Sequence, residues 1–402
     1  MPVRTNPLEL GAKRPVAVAR DVLDMLEELA GFDELLEPVF GKKVVLAAVA
    51  LAGPARAQDS QFGIRGLGTP GRWESVRARS TGGAFAPFDA FSPLLEASVA
   101  DVPHVAAGVT GGASWRSVSA GTGTTTLRGT RFPAFVIGGP IIGRLVLAGG
   151  FSTYLDKSFG ISTRDTIDIR GNPEPVTDEI VSDGAVADLR LALAARVHRR
   201  LALGLAVHGI TGGTHVSASR RFDDSTNYKT STIGDAIAYH GFGASASALY
   251  DVSADLRFAA WVRNDTKLRA EMRGRTVTDD DLPFSVGGGV RWRAGTEAAI
   301  AGAVAWRYWG GGGLNAHDTF NWSLGTELGS PASPLRFGVR GGQLAFGPGA
   351  KAPTELGVSA GIGKQFAGGR GRLDFGLERL ERKGVGLTER VWTVLLGLTV
   401  RP

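Results

Sequence analysis

The chain has 402 residues, 58 of them glycine and none cysteine, with 45 basic and 39 acidic residues giving a formal net charge of +6. Lack of cysteine excludes disulfides, thiolate metal sites and thiol nucleophiles. So much glycine argues against a soluble α/β enzyme, because glycine weakens helix and strand interiors alike. The basic residues stand singly and form no dense patch, so nucleic acid is not an expected partner.

Taken from the N-terminus, residues 20–38 pattern as an acidic amphipathic helix. Lys42 and Lys43 then precede an apolar run from Val44 to Gly53, followed by Ala55-Arg56-Ala57. A positive n-region, a short apolar h-region and an A-x-A site make an export signal over 39–57, with cleavage after Ala57. The run is too short for a mature membrane helix, which needs about 20 residues. A signal seldom starts so far into a chain. Residues 1–38 are therefore expected to be an upstream extension that translation from a GTG codon at Val39 would omit.

Residues 58–103 carry clustered glycines, then Phe85, Phe88 and Phe91, without strand alternation. They read as a compact hatch ahead of a barrel over 104–402. Gly66, Gly68 and Gly71 match G-x-G-x-x-G, but a dinucleotide loop needs a strand before it and a helix opening on it. Pro70 also removes an amide that such a loop would use, so these residues read as hatch turns.

From residue 104 the chain alternates with a period of two, the strand signal. Leu189, Leu191 and Leu193 alternate with Arg190, Ala192 and Ala194; Leu203, Leu205 and Val207 with Gly204, Ala206 and His208; Val286, Val290 and Trp292 with Gly287, Arg291 and Arg293. No segment approaches 18 uninterrupted apolar residues, which excludes spanning helices. The apolar stretches are instead about ten residues long, the length of a tilted membrane strand. Trp292, Trp306, Tyr308, Trp322 and Trp392 sit near strand ends in the apolar parity, where interfacial girdles belong. Strands are expected at 104–119, 130–138, 144–156, 183–197, 201–220, 239–250, 255–263, 284–292, 297–308, 319–328, 335–342, 355–366, 372–379 and 389–400. Between them short links alternate with long ones, such as 120–130, 157–182, 264–283 and 380–388. An even strand count with short inner turns and long outer loops is the outer-membrane rule. The expected fold is an all-β transmembrane antiparallel barrel of about 14 strands with a plug.

Within the hatch, Arg77-Ala78-Arg79-Ser80-Thr81-Gly82-Gly83-Ala84-Phe85, with Ser92-Pro93-Leu94 beyond it, resembles the N-terminal motif of FadL-like outer-membrane proteins. That group includes fatty-acid transporters, aromatic-hydrocarbon channels and PorV-type relatives. The resemblance implies a fourteen-stranded barrel with an N-terminal hatch. Arg79, Gly82, Gly83, Ala84 and Phe85 map onto the motif directly. Ser80-Thr81 stand where Gly-Met is usual, Ser92-Pro93-Leu94 replaces Asn-Pro-Ala, and the C-terminus lacks the aromatic residue.

Other motifs carry no chemistry. Gly357-Val358-Ser359-Ala360-Gly361 matches G-x-S-x-G, but a nucleophile elbow needs a strand-to-helix turn, and Ser359 lies inside continuous alternation. Gly310–Gly313 lacks the Lys-Ser/Thr of a phosphate loop. Asp279-Asp280-Asp281 reads as a solvated outer charge run, and the six histidines lack ligand spacing. Neither catalytic residues, metal nor cofactor are expected.

Arg190, Arg196, Arg257, Arg263, Arg291, Arg293, Arg336 and Arg340 share the lumen parity with Asp255, Glu327, Glu355, Asp374 and Glu378. They read as an internal ion-pair network or as an interior attracting anions such as carboxylates. Arg77, Arg79, Phe85, Phe88 and Phe91 form a candidate ligand cleft in the hatch; the three rings could equally pack hatch against wall. The expected function is passive uptake of small hydrophobic molecules such as fatty acids by a monomer. Its partners would be outer-membrane lipid and, during biogenesis, the barrel-assembly machinery. A non-transporting docking barrel is the alternative.

Overall fold

The chain divides into two compact units, Met1–Arg56 and Ala57–Pro402. A computed structural model describes residues 60–401 except 65, 73, 93–95, 121–122, 310–315 and 348, all within the second unit. The expected extension 1–38, signal 39–57, cleavage site and glycines 310–313 lie outside the described residues.

Fourteen antiparallel barrel strands follow the hatch. They are β1 (Ala106–Ala120), β2 (Gly123–Ile142), β3 (Leu145–Asp156, continued by Phe159–Ile169), β4 (Asn172–His198), β5 (Leu201–Phe222) and β6 (Ser231–Asp251). Next come β7 (Leu256–Asp265, continued by Lys267–Met272), β8 (Arg275–Asp281, continued by Phe284–Arg293), β9 (Ala298–Tyr308) and β10 (Thr319–Leu328). The last are β11 (Leu335–Gln343), β12 (Thr354–Phe366), β13 (Gly371–Gly384) and β14 (Leu387–Val400). Each strand pairs with its sequence neighbours. β14 closes the ring on β1, from Leu387 opposite Ala120 to Val400 opposite Ala107. Closure leaves no unpaired edge, which a sheet in lipid requires.

Burial is inverted relative to a water-soluble protein. Leu205 is 63% exposed, Val358 53% and Trp292 50%, whereas Arg336 and Glu389 are at 0%. Apolar side chains face outward and charges inward, so the wall is built for lipid outside. Trp292, Trp306, Tyr308, Trp322 and Trp392 all point outward, as girdle residues do.

The strand count agrees with the expectation, but the long outer links do not. Segments 157–182 and 264–283 are not loops: they continue β3 into β4 and β7 into β8 as paired hairpins. Each closes through two residues at positive φ, Arg170-Gly171 and Arg273-Gly274, the backbone of a tight hairpin turn. Segment 380–388 likewise turns at Val385-Gly386 between β13 and β14. Beyond the lipid both strand faces are wet, so runs such as Thr163-Arg164-Asp165-Thr166 lack the apolar alternation that marks the membrane portion.

The hatch folds inside the ring. It has one helical turn and a half, α1 (Val76–Ser80), capped by the Ser75 hydroxyl accepting from Ala78 N–H. Around it are short 3-10 turns at Gln61–Gly63, Ala86–Phe88 and Glu96–Asp101. Thr69–Pro70 bridges to Asp156 and Leu155 of β3. α1 lies on a track of glycines, one from each of five successive strands: Gly325, Gly338, Gly361, Gly376 and Gly397. A Cβ on Gly338 would stand 2.0 Å from the Thr81 carbonyl carbon, and one on Gly325 2.3 Å from its oxygen. Gly325 and Gly338 thus let hatch backbone sit directly on wall backbone, and Gly361, Gly376 and Gly397 make room for the Ser80 and Val76 side chains.

Candidate functional site in the lumen

Reciprocal ion pairs tie hatch to wall. Arg72 and Arg79 of the hatch both donate to Glu378, at 2.8 and 2.5 Å. Arg77 donates through Nε and Nη2 to Glu327, at 2.8 and 2.6 Å, and its guanidinium lies over the Phe85 ring. In the opposite sense, hatch Asp101 accepts from wall Arg196 and Arg257, and hatch Glu96 faces Arg190 at 3.8 Å. At the hatch entry Glu389 accepts from the Ser60 hydroxyl and the Gln61 N–H. Burial opposes charge on Arg77, but Glu327 more than offsets this and holds the guanidinium above its ordinary pKa. Burial likewise works to raise Glu74, yet Arg72, Arg340 and Arg79 outweigh it and keep the carboxyl below its usual range.

The 3-10 turn Glu96–Asp101 meets a polar chain on β4–β6. His208 Nδ1 lies 2.9 and 3.0 Å from the two Asp188 oxygens, and its Nε2 is 2.7 Å from Ser245 Oγ. Ser245 donates its proton to Glu96 at 2.8 Å. Asp188 also accepts from Arg263 at 2.6 Å. This is the Ser-His-Asp order of a hydrolase, but here the Ser245 hydroxyl donates to the buried carboxylate of hatch Glu96, a partner that a hydrolase serine lacks. The arrangement fixes the hatch and does not prime a nucleophile.

Towards the outer end of the lumen an apolar cluster joins hatch to wall, set among charges: Tyr154 donates to Asp265 at 2.7 Å, Arg263 lies over the Tyr154 ring and Lys157 over the Tyr239 ring. Leu67, Tyr154, Leu155, Ile210, Tyr239 and Trp309 are buried together, with Phe346 edge-on to Trp309 at 5.1 Å. The strand alternation hid this, because inward tyrosines and isoleucines are scattered one per strand. Several cavities border the cluster, two of them beside Trp261 and Trp309. One, of ≈ 50 Å³, touches Tyr154, His208, Ser245, Trp261, Arg263 and Trp309. The other, of ≈ 130 Å³, lies between the hatch and β9–β13.

The site residues read from the sequence divide between these features. Arg77, Arg79, Arg190, Arg196, Arg257 and Arg263 join hatch–wall or lumen ion pairs. Arg336 donates to Glu327 and Asp374, at 2.8 and 2.7 Å. Arg340 pairs with Glu355. Arg291 lies over the Phe88 ring, and Arg293 sits exposed at the rim beside Asp255. Phe85 and Phe88 are buried against Ala202, Leu249, Ala259 and Trp261, and Phe91 packs on Gly108. Ser359 faces inward and accepts from the Gly82 N–H at 2.9 Å. Sequence reasoning missed Arg72, Glu96, Glu389, Trp261 and Trp309. His208 and Ser245 were legible as lumen-parity polar residues, but their meeting depends on strand register.

No family model and no curated protein matches the chain. Among solved structures, the barrel is similar to the CymD monoaromatic hydrocarbon channel at 13% identity, covering 85% of this chain and 99% of that one, TM-score 0.53. It is also similar to the toluene transporter TodX of P. putida at 12% identity, covering 84% and 99%, TM-score 0.50. At such identity the likeness is one of fold, and the fold is that of the hydrocarbon channels.

Proposed function

We propose that this chain, which shares the fold of monoaromatic hydrocarbon channels, is an outer-membrane conduit for passive uptake of small hydrophobic molecules. The observation carrying this reading is the apolar cluster around Tyr154, Tyr239, Trp309 and Phe346 in the outer half of the lumen. A pore for ions or sugars keeps its interior wet and polar. An aromatic cluster beside a hatch favours solutes that leave water readily, since ligand pockets are mostly apolar with a few polar anchors. Aromatic hydrocarbons and fatty acids both belong to that class. The solute would pass from the aromatic zone to the cavities beside the hatch, and the hatch would shift to release it.

The test is permeation into liposomes carrying the purified protein, with toluene and a medium-chain fatty acid as solutes and a sugar as control. Toluene or fatty-acid entry above empty liposomes, without sugar entry, is expected. If no solute permeates and affinity purification recovers a larger assembly, the docking-barrel reading of PorV-type relatives replaces this one.

A further inference from the structure

The ≈ 130 Å³ cavity between hatch and wall is lined by more guanidiniums than carboxylates. Its charged lining comprises four guanidiniums, Arg72, Arg307, Arg340 and Arg382, against two carboxylates, Glu74 and Glu355. The carboxylates are already engaged: Glu355 accepts from Arg340 and Arg382, and Glu74 from Arg72.

Six buried atoms of this lining have no hydrogen-bond partner: Thr69 Oγ1, Thr319 Oγ1, Trp309 Nε1, Arg72 Nη2, Arg340 Nε and Arg382 Nη1, the last 3.6 Å from Glu389 in an ion pair. Trp309 and Arg382 are only 4% and 5% exposed. The four nitrogens can only donate, whereas the two hydroxyls can also accept. Buried donors are almost always paired in folded proteins, so together they describe the complement of a ligand that brings acceptors and negative charge. The rest of the lining mixes Trp261, Trp309, Leu344 and Ala345 with the polar Thr319, Asn321, Ser323 and Gln343. A neutral hydrocarbon would cover the rings and leave every donor orphaned. A compact inorganic anion would satisfy the donors and leave the rings uncovered. A carboxylate's two coplanar oxygens match the guanidinium fork.

We propose that this cavity binds a small aromatic carboxylate, its ring against Trp261 and Trp309 and its oxygens accepting from the arginines and the Trp309 indole. The proposal rests on the uptake reading and narrows its cargo from hydrophobic molecules in general to amphiphilic acids.

Titration of the full-length mature protein in detergent micelles tests it, with benzoate and toluene as probes and phosphate as competitor. Benzoate is expected to bind more tightly than toluene and to resist phosphate. Arg340→Gln is expected to lower the benzoate-to-toluene affinity ratio by on the order of tenfold, the scale of a charged hydrogen bond. Trp309→Phe keeps the ring and every ion pair but removes the indole donor; it is expected to lower the ratio severalfold and decides the matter alone if Arg340→Gln does not assemble. Benzoate binding no better than toluene, displacement of benzoate by equimolar phosphate, or an unchanged ratio in the assembled variants would overturn the proposal. Toluene permeation in liposomes would in that event leave the uptake reading standing, whereas benzoate binding without any permeation would sink the uptake reading and keep the site.

Discussion

Glu378 on β13 takes up two hatch arginines at once, Arg72 on one carboxylate oxygen and Arg79 on the other. Its side chain is 1% exposed, so no water competes for either bond. Removing its charge would leave two buried guanidiniums without their main partner. Glu378→Gln is expected to destabilise the protein by about 3 kcal/mol, the scale for breaking a buried pair from one side. The check is the urea midpoint of the micelle-embedded barrel; a midpoint equal to the parent would show that the hatch is held by other means.

Gly338→Val tests the glycine track. Its side chain would have to occupy the space of the Thr81 carbonyl, backbone against backbone, with no flexible group to yield. Overpacking of this kind costs about 1–3 kcal/mol, and the cheaper escape is for α1 to lift off the wall. Trypsin is then expected to cut after Arg77 or Arg79 in the assembled variant and not in the parent. Equal resistance in both would mean that the track is not what seats the hatch.

Ser245 offers a sharp negative. Its proton goes to Glu96, not to His208, so the purified protein is expected to hydrolyse p-nitrophenyl butyrate at the rate of detergent alone. Ser245→Ala should leave that rate unchanged. An esterase activity abolished by Ser245→Ala would reverse the assignment of the donor.

The lipid belt can be mapped by paired substitutions. Leu205→Arg, on the outward face of β5, is expected to cost about 2–4 kcal/mol, the penalty near the bilayer midplane. Ile233 is 73% exposed on the outer extension of β6, and Ile233→Arg is expected to stay within about 0.5 kcal/mol of the parent. Unfolding from lipid vesicles reads both; equal costs would contradict a belt that ends below Ile233.

How much of this was legible in the sequence depended on which medium each face meets. Where lipid lies on one side and the lumen on the other, residues such as Leu203, Leu205 and Val207 alternate strictly with Gly204, Ala206 and His208, and β5 could be read directly. Where water lies on both sides, alternation disappears, and the hairpin around Arg170-Gly171 passed for a loop. The arginines at lumen parity were visible one by one. Which acid each would meet was not, because Arg77 with Glu327 and Arg79 with Glu378 are joined across 250 and 299 residues by the docking of the hatch. The abundance of glycine was noticed as tolerance of bends. Its use at Gly325 and Gly338 is close approach between two backbones, a relation that exists only once the hatch is in place.

The unequal strands have a consequence for what can reach the mouth. β4 runs 27 residues and β5 22, whereas β10 and β11 have ten and nine. At roughly 3.3 Å per residue, β4 traces about 90 Å and β11 about 30 Å, and the shorter length suffices only to cross the bilayer. The wall is therefore stepped, with β4 and β5 reaching far beyond the ends of β10 and β11. A solute arriving from the β4–β5 side meets a tall sheet before it meets the opening.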